Sequence, residues 1–564
     1  MKLPFGKSNN NDINRKPGFW KLLDWKLMLA LVFPVTLETL DYTVVATAQS
    51  RIASVFDALS LQSYIGTSYL LSSTVFLPFF ASVANIYGRH LGLQISLLLF
   101  LVGSTLSTGA VNMPMVLAGR GVAGVGAAGL LTIVRTIMSD TGVGPVIGGL
   151  LVTANFRWIF AINLPCTVLA MFLCFLFLRN KVSGANEGVG LPSNSRVGAW
   201  VARLVLIDWI GTLLFSSGGI LILLALNWGP NDNWKTARVI TNLIIGAMLI
   251  TLCLIWEIVL ERKRLSPAGG MGIFRAHPMV PIEMFTSYDI CVTQFGSFVS
   301  GIVMFVMFYF VAIFATLVTG LPPSQAGIQL LYFAPGLGGG SLISIRMIQV
   351  FRQPVYPIVL GSVVMSAGVG LIQMAIQHNI EREVNGFMAM VGVGVGLTAG
   401  PLVIHARFTK PDHIAITNAM LLFFRSLGGT VGLAQCFTVM SAKVNSYIVN
   451  QIRNGALSGS DLVTLASLLN SGGLDSVTSL DGLPTIVQTV IRDAFRNAVR
   501  WSFISLLPWL SLATVLSVFL SKIPDSDLNP QRNANGHAAD VGLGPQTRDE
   551  PDTGSGARVM EMGQ

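Results

Sequence analysis

Charge is scarce in this chain. Asp, Glu, Lys and Arg make up 11% of its 564 residues, against about 25% in soluble domains. Together with 52% hydrophobic residues and a mean hydropathy of +0.66, that deficit excludes an ordinary soluble domain and leaves an integral membrane protein. Cysteine is nearly missing as well. Cys166, Cys174, Cys253, Cys291 and Cys436 fall in apolar segments, odd in number and without CxxC spacing, so packing roles are expected of them. No metal-ligand cluster and no nucleophile constellation occurs in the sequence, so no catalytic residue, no metal and no resident cofactor is expected, and an enzyme is the weakest reading.

Long apolar runs are what the chain does have. Stretches of ~20 mostly apolar residues predict helices near 27–48, 62–83, 91–110, 114–138, 158–178, 205–227, 237–259, 290–317, 324–345, 355–375, 384–407, 414–440 and 499–521, with a short further piece at 142–154. Residues 1–26 are polar and carry Lys and Arg; the first apolar stretch is too long for a signal core, so the first helix is expected to serve as the insertion signal. With 142–154 counted as a span, one set of loops carries Arg89, Arg135, Arg179, Lys181, Arg196, Arg203, Arg262, Lys263, Arg264, Arg275, Arg346, Arg352, Arg407 and Lys410. The opposite short loops hold Arg51, Arg157, Lys235, Arg238 and Arg382. The asymmetry fits fourteen spans with both termini in the cytosol. The net charge of +9 then reads as topology, and the expected partner is the lipid bilayer, with no nucleic acid.

Glycine is abundant. The runs GVAGVGAAG (121–129) and GVGVGLTAG (392–400) look like phosphate loops, yet both lie inside apolar spans with no Gly-Lys-Ser/Thr, so that reading fails its context. Small residues let helix backbones approach in a membrane. Two readings stand: static packing, or helices that rock past one another in an alternating-access carrier.

Ionisable residues inside spans carry more information, because each costs several kcal/mol unless paired or wet. The first span holds Glu38 and Asp41, three apart and on one face; Arg120 and Arg425 lie in two others. At ~1.5 Å per residue, Asp41 is ~22 Å from the cytosolic end of its span and Arg120 ~9 Å from the outer end of its own, nearly one level in a core ~30 Å thick. A carboxylate that exchanges a proton beside an arginine of fixed charge is a workable proton-coupling element; a structural ion pair is the plain alternative. Arg425 suits a substrate, a proton or a structural partner equally. His405 is expected at the membrane interface, and the aromatic run 298–314 is expected to face lipid rather than line a cavity.

These residues, taken in order, resemble the major facilitator superfamily, in particular its fourteen-helix drug:proton antiporters of fungal type. LDYTVVATA (40–48) resembles that family's first-helix run and puts Asp41 at its acidic position. ASVANIYGRH (81–90) resembles the superfamily's cytosolic gating loop, keeping Gly88 and Arg89 but placing Asn85 where the family has aspartate. RGVAGVGAA (120–128) resembles the motif associated with proton transfer, with Arg120 kept and Ala123 in place of glutamine. GPVIGG (144–149) resembles the antiporter motif, with Gly144, Pro145, Gly148 and Gly149 in place. RWIFAINLP (157–165), IDWIG (207–211) and FFRSLGGTVGLAQ (423–435) add to the likeness.

The resemblance implies an all-α polytopic membrane protein with two six-helix bundles and two additional helices. The implied organisation is a cytosolic tail (1–26), an N-terminal bundle (27–180), a loop with the additional helices and a cytosolic connector (181–287), a C-terminal bundle (288–521) with an extracytoplasmic loop at 441–498, and a disordered cytosolic tail (522–564). It implies a monomer in the plasma membrane, or alternatively the vacuolar membrane, exporting a drug, toxin or secondary metabolite by alternating access in exchange for protons. Basic amino acid or siderophore transport is the alternative within transport.

One junction departs from the pattern. In TIMSDTGVGPVIGG (136–149) the span holding Arg120 runs almost directly into the antiporter motif, and 142–154 leaves thirteen residues, ~20 Å of helix against a ~30 Å core. A deleted or mis-spliced exon, or an imperfect gene model, is the preferred explanation. A genuine half-helix packed in the bundle is the alternative, and with it comes a further reading of the chain as a non-transporting sensor or inactive isoform.

Overall fold

The computed structural model describes, apart from isolated positions, residues 61–141, 167–176, 203–264, 272–321, 329–411, 414–454 and 484–523. Among the described residues thirteen helices carry the architecture: α1 (Gln62–Val75), α2 (Leu77–Tyr87), α3 (Arg89–Thr108), α4 (Met113–Thr141), α5 (Thr167–Leu176), α6 (Trp209–Asp232) and α7 (Ala237–Arg264). Then come α8 (Tyr288–Ile313), α9 (Phe333–Phe351), α10 (Val355–His378), α11 (Glu381–Thr409), α12 (Ile414–Arg453) and α13 (Thr485–Val518). Among the described residues nine helices are long and apolar enough to cross a membrane, ten when the bent pair α1–α2 counts as one span. The one β feature there is an isolated bridge between Ile207 and His277, so the all-α expectation holds. The predicted spans 27–48 and 142–154 lie outside the described residues.

The segment expected as one span at 62–83 is two helices meeting at 44°. Pro78 sits in the first turn of α2, where its missing N–H costs nothing but its ring clashes with the preceding turn and forces the break. After α2, Gly88 takes φ +90°, a conformation that glycine alone adopts freely, and turns the chain into α3.

Two apolar cores form. The first gathers side chains from α1 to α7 around Phe80, Phe100 and Ile133; the second gathers those from α8 to α13 around Phe310, Phe314 and Phe503. Helix α12 belongs to both. Its first turns place Ala415, Ala419 and Met420 in the first core, and its later turns place Cys436, Val444 and Ile448 in the second. It packs along α8 and α13 and also touches α2, α4 and α6. On α7, Ile244, Ile245, Met248, Leu252 and Ile255 are all exposed, as a lipid-facing helix requires.

Two expectations need correction. Residues 441–453 and 485–498, read as loop, are helical extensions of α12 and α13. Val444 and Ile448 are four apart and buried, as are Val487, Ile491, Ala494 and Ala498 at helical spacing, so the Ser and Asn residues between them occupy the wet face of an amphipathic helix. The aromatic run 298–314, expected to face lipid, turns one face inward, with Phe310 and Phe314 in the second core, while Tyr309 on the other face is exposed. His405, near the end of α11, is 1% exposed and its Nε2 lies 2.9 Å from the carbonyl of Ser521, a contact that ties α11 to the chain just beyond α13.

The glycine runs settle into close helix contacts. A Cβ on Gly126 would collide with the α3 backbone at Phe100, and one on Gly396 with the α9 carbonyl of Leu337. Gly124 and Gly394 make such contacts with other neighbours, Tyr69 of α1 and Met365 of α10, while Gly121 and Gly400 meet nothing within 4 Å, so small residues let each helix approach two others and leave part of its circumference open.

Candidate functional site

Arg120 lies near the start of α4 and is 1% exposed. Its guanidinium sits 4.2 Å above the ring centre of Tyr69 on α1. The two helices approach closely enough because of Gly124, whose added Cβ would strike the Tyr69 carbonyl and Ser72. An aromatic face holds a buried cation by its quadrupole, worth about 2 kcal/mol when desolvated. The arrangement fixes the guanidinium in a buried position. Its expected partners Asp41 and Glu38 lie outside the described residues.

Arg425 has different surroundings. It lies on α12 where that helix meets α8; a Cβ on Gly301 would collide with the Arg425 carbonyl, and one on Gly428 with that of Phe298. From this contact the Arg425 Nη2 donates to the Met304 sulfur at 2.9 Å, a weak acceptor. Beside it is a cavity of about 30 Å³ lined by Ser297, Ser300, Leu402, Asn418, Leu421 and Arg425 among others, the room of about one water. Asn418, Leu421 and Arg425 recur on α12 at helical spacing, as do Ser297, Ser300 and Met304 on α8, so both helices present one polar strip inward.

The other predicted residues divide. Asn85 and Arg89 flank Gly88 at the α2–α3 turn, and Arg407 at the end of α11 lies within range to repel Arg89. Asn85 brings no charge to that pair, where the family's aspartate would. Gly144, Pro145, Gly148 and Gly149 lie outside the described residues.

Sequence reading missed one buried pair. Asp208 Oδ1 accepts hydrogen bonds from the Gly211 N–H and the Trp256 indole, both at 2.9 Å. Glu257 Oε1 accepts from the backbone N–H groups of Met279 at 3.1 Å and Val280 at 3.3 Å. The His277 N–H donates to the Leu206 carbonyl at 2.8 Å. These bonds pin the segment leading to α8 onto the ends of α6 and α7. The signal was available, since Glu257 is an acid inside the apolar run 237–259. Tyr69, Asn418 and Ser300 had no such signal, because one polar residue in an apolar run does not reveal which way it points.

A helical membrane protein with a buried arginine in one span and a half-buried one in another, and no catalytic constellation in its sequence, has the build of a transporter. Residues 97–524 match the model of the fungal trichothecene efflux pump (TRI12) family, and the chain belongs to that family of major facilitator transporters. It is not an enzyme. Similar relatives run nearly its full length. The MFS-type transporter ppz2 of Metarhizium majus is 25% identical over 522 residues, 88% of this chain and 84% of that protein. The MFS-type efflux pump LUC4 of a Fusarium species is 26% identical over 501 residues, 84% and 81% of the two chains. A solved bacterial homologue of the human lysosomal transporter Spinster, inward-facing and occupied, aligns over 89% of this chain and 97% of its own at 17% identity, with a TM-score of 0.45.

Proposed function

We propose that the chain is a proton-driven exporter that moves drugs, toxins or secondary metabolites out of the cell by alternating access. The observation that carries this reading is Arg120, a buried cation held on an aromatic face inside a membrane helix. Such a charge costs several kcal/mol unless paired or wet, so its retention inside a span points to a functional role. In the proposed cycle Asp41 takes a proton from the outside, Arg120 sets the affinity for that proton, and its release to the cytosol accompanies the return of the empty carrier. The proposed substrates are small organic molecules, as the family's name, a trichothecene efflux pump, suggests for its members. The plasma membrane is the proposed site of action, which a fluorescent fusion imaged in intact cells checks.

Uptake of a lipophilic fluorescent dye into inverted vesicles tests the coupling. Uptake collapses with an uncoupler and with Asp41→Asn; uptake that survives both sinks proton coupling through that residue.

The thirteen residues of 142–154 favour a second reading, an inactive or sensing isoform with an incomplete span. Transcript sequencing across codons 135–150 separates the two. An added segment that completes a ~20-residue span assigns transport to the longer form. A matching transcript with no measurable flux supports the sensor.

A further inference from the structure

We propose that Asp208 and Glu257 form a proton-binding site, a pair of carboxyl groups that holds one proton between them and, while that proton is in place, clasps the segment before α8 onto the ends of α6 and α7. The inference goes beyond the exporter reading and stands apart from the chemistry proposed for Asp41 and Arg120.

The geometry of the two acids carries the argument. Asp208 is 2% exposed and Glu257 is 1% exposed, and their carboxyl groups lie within hydrogen-bonding reach of one another. Gly211 leaves room for this meeting, since a Cβ there would strike Asp208 Oδ2 and crowd Glu257 Oε1. One oxygen of each acid is already occupied, Asp208 Oδ1 by the Gly211 N–H and the Trp256 indole, Glu257 Oε1 by the N–H groups of Met279 and Val280. The other two, Asp208 Oδ2 and Glu257 Oε2, are buried and receive no protein donor. An ionised carboxyl only accepts, so two acids in contact bond to each other only when one of them carries a proton. Adjacent carboxylates in a site closed to water repel, and such a dyad titrates as a unit that keeps one proton.

Charged and titratable groups approach from each neighbouring element. On α7, Glu261 brings a further like charge toward Glu257, and Cys253 lies within range of both acids. At the end of α7, Lys263 covers the Phe274 ring and the Arg264 Nη2 lies 3.5 Å from the His277 Nε2. Tyr87 of α2 packs on Ile207. Arg203 before α6 and the basic end of α7 mark this side as cytosolic, so the proton comes from the cytosol and returns to it. While it is shared, α6, α7 and the segment entering α8 are held as one body. Its loss sets two negative charges face to face, the pair parts, and the entry to α8 is released.

The test is hydrogen exchange of the purified full-length protein in nanodiscs, read by mass spectrometry on peptides covering residues 276–283 and corrected for the intrinsic pH dependence of amide exchange. The closed clasp holds a proton that the opened pair, back in water, has released above about pH 5. Opening therefore becomes easier as the pH rises. Wild type is expected to lose protection of this segment about tenfold or more between about pH 6 and about pH 8. Glu257→Gln and Asp208→Asn, which put an amide N–H in place of the shared proton, keep protection within about twofold over that range. His277→Gln leaves the wild-type loss in place. Protection that is independent of pH in wild type, a loss that persists in both amide variants, or a loss that vanishes in His277→Gln overturns the proposal. The wild-type measurement requires no variant to fold. Flux of a lipophilic dye, measured on the same protein in proteoliposomes, keeps the two readings apart. Proton-driven flux with pH-independent protection removes the clasp and leaves the exporter, whereas pH-dependent protection abolished by the amide variants, without any flux, supports the clasp and removes the exporter.

Discussion

Two arginines in apolar helices meet opposite surroundings. Arg120 is sealed against the Tyr69 ring where glycines bring α1, α3 and α4 together. Arg425 borders a cavity, bonded to a thioether and flanked by polar groups that lack partners. A charge in the first setting cannot change its surroundings cheaply, which suits a fixed reference for a neighbouring carboxylate. A charge in the second borders open space that a polar group can enter. Equivalent residues in a sequence scan thus serve different ends, and packing separates them.

The sharpest way to break this comparison is to neutralise each arginine and ask what remains coupled. Arg120→Gln is expected to cut proton-driven dye flux about tenfold or more, and any residue of flux no longer responds to an uncoupler. Arg425→Gln also lowers flux, yet what remains still collapses with an uncoupler. If both variants lose uncoupler sensitivity, the division of labour fails. Next in size are the helix contacts. Gly124→Val and Gly428→Val, which drive a side chain into backbone, are expected to cost about 1–3 kcal/mol each. Gly121→Ala, with nothing within 4 Å, leaves the melting temperature in detergent unchanged.

A site apart from both arginines serves as the reference. Glu257→Ala orphans the N–H groups of Met279 and Val280 and is expected to destabilise by about 1–3 kcal/mol for each. Glu257→Gln keeps an acceptor oxygen and restores most of the loss, which thermal unfolding reads directly. If Gln is as damaging as Ala, Glu257 acts through its charge rather than as an acceptor. Tyr69 offers the mildest test of the Arg120 site. Tyr69→Phe keeps the ring beneath Arg120, while Tyr69→Leu removes about 2 kcal/mol of cation–π attraction, measured as a lower proton-driven rate with Phe near wild type.

The spans were legible because a bilayer demands ~20 apolar residues at a time, and α3, α4, α6, α7, α8, α10 and α11 fall where hydropathy puts them. Element ends were less legible where helices leave the membrane. The extensions of α12 to Arg453 and of α13 back to Thr485 carry enough Ser, Asn and Arg to read as loop, and only the spacing of their few apolar residues marks them as helix. Of the candidate site, Arg120 and Arg425 stood out because charge in an apolar run is conspicuous. Asn418, Ser300 and Tyr69 did not, since uncharged polar residues are common on lipid-facing, helix-facing and cavity-facing sides alike.

The sequence alone determined that this chain lives in a membrane, how its helices are ordered and which family it resembles, since hydropathy and local motifs are properties of neighbouring residues. Only the tertiary structure decided that Arg120 rests on Tyr69, that Glu257 ties down the segment before α8, and that Asn418 and Ser300 share a cavity with Arg425. Each of those relations joins residues on different helices, some of them more than a hundred positions apart, and the rotation of a helix about its axis is fixed by its packing rather than by its composition.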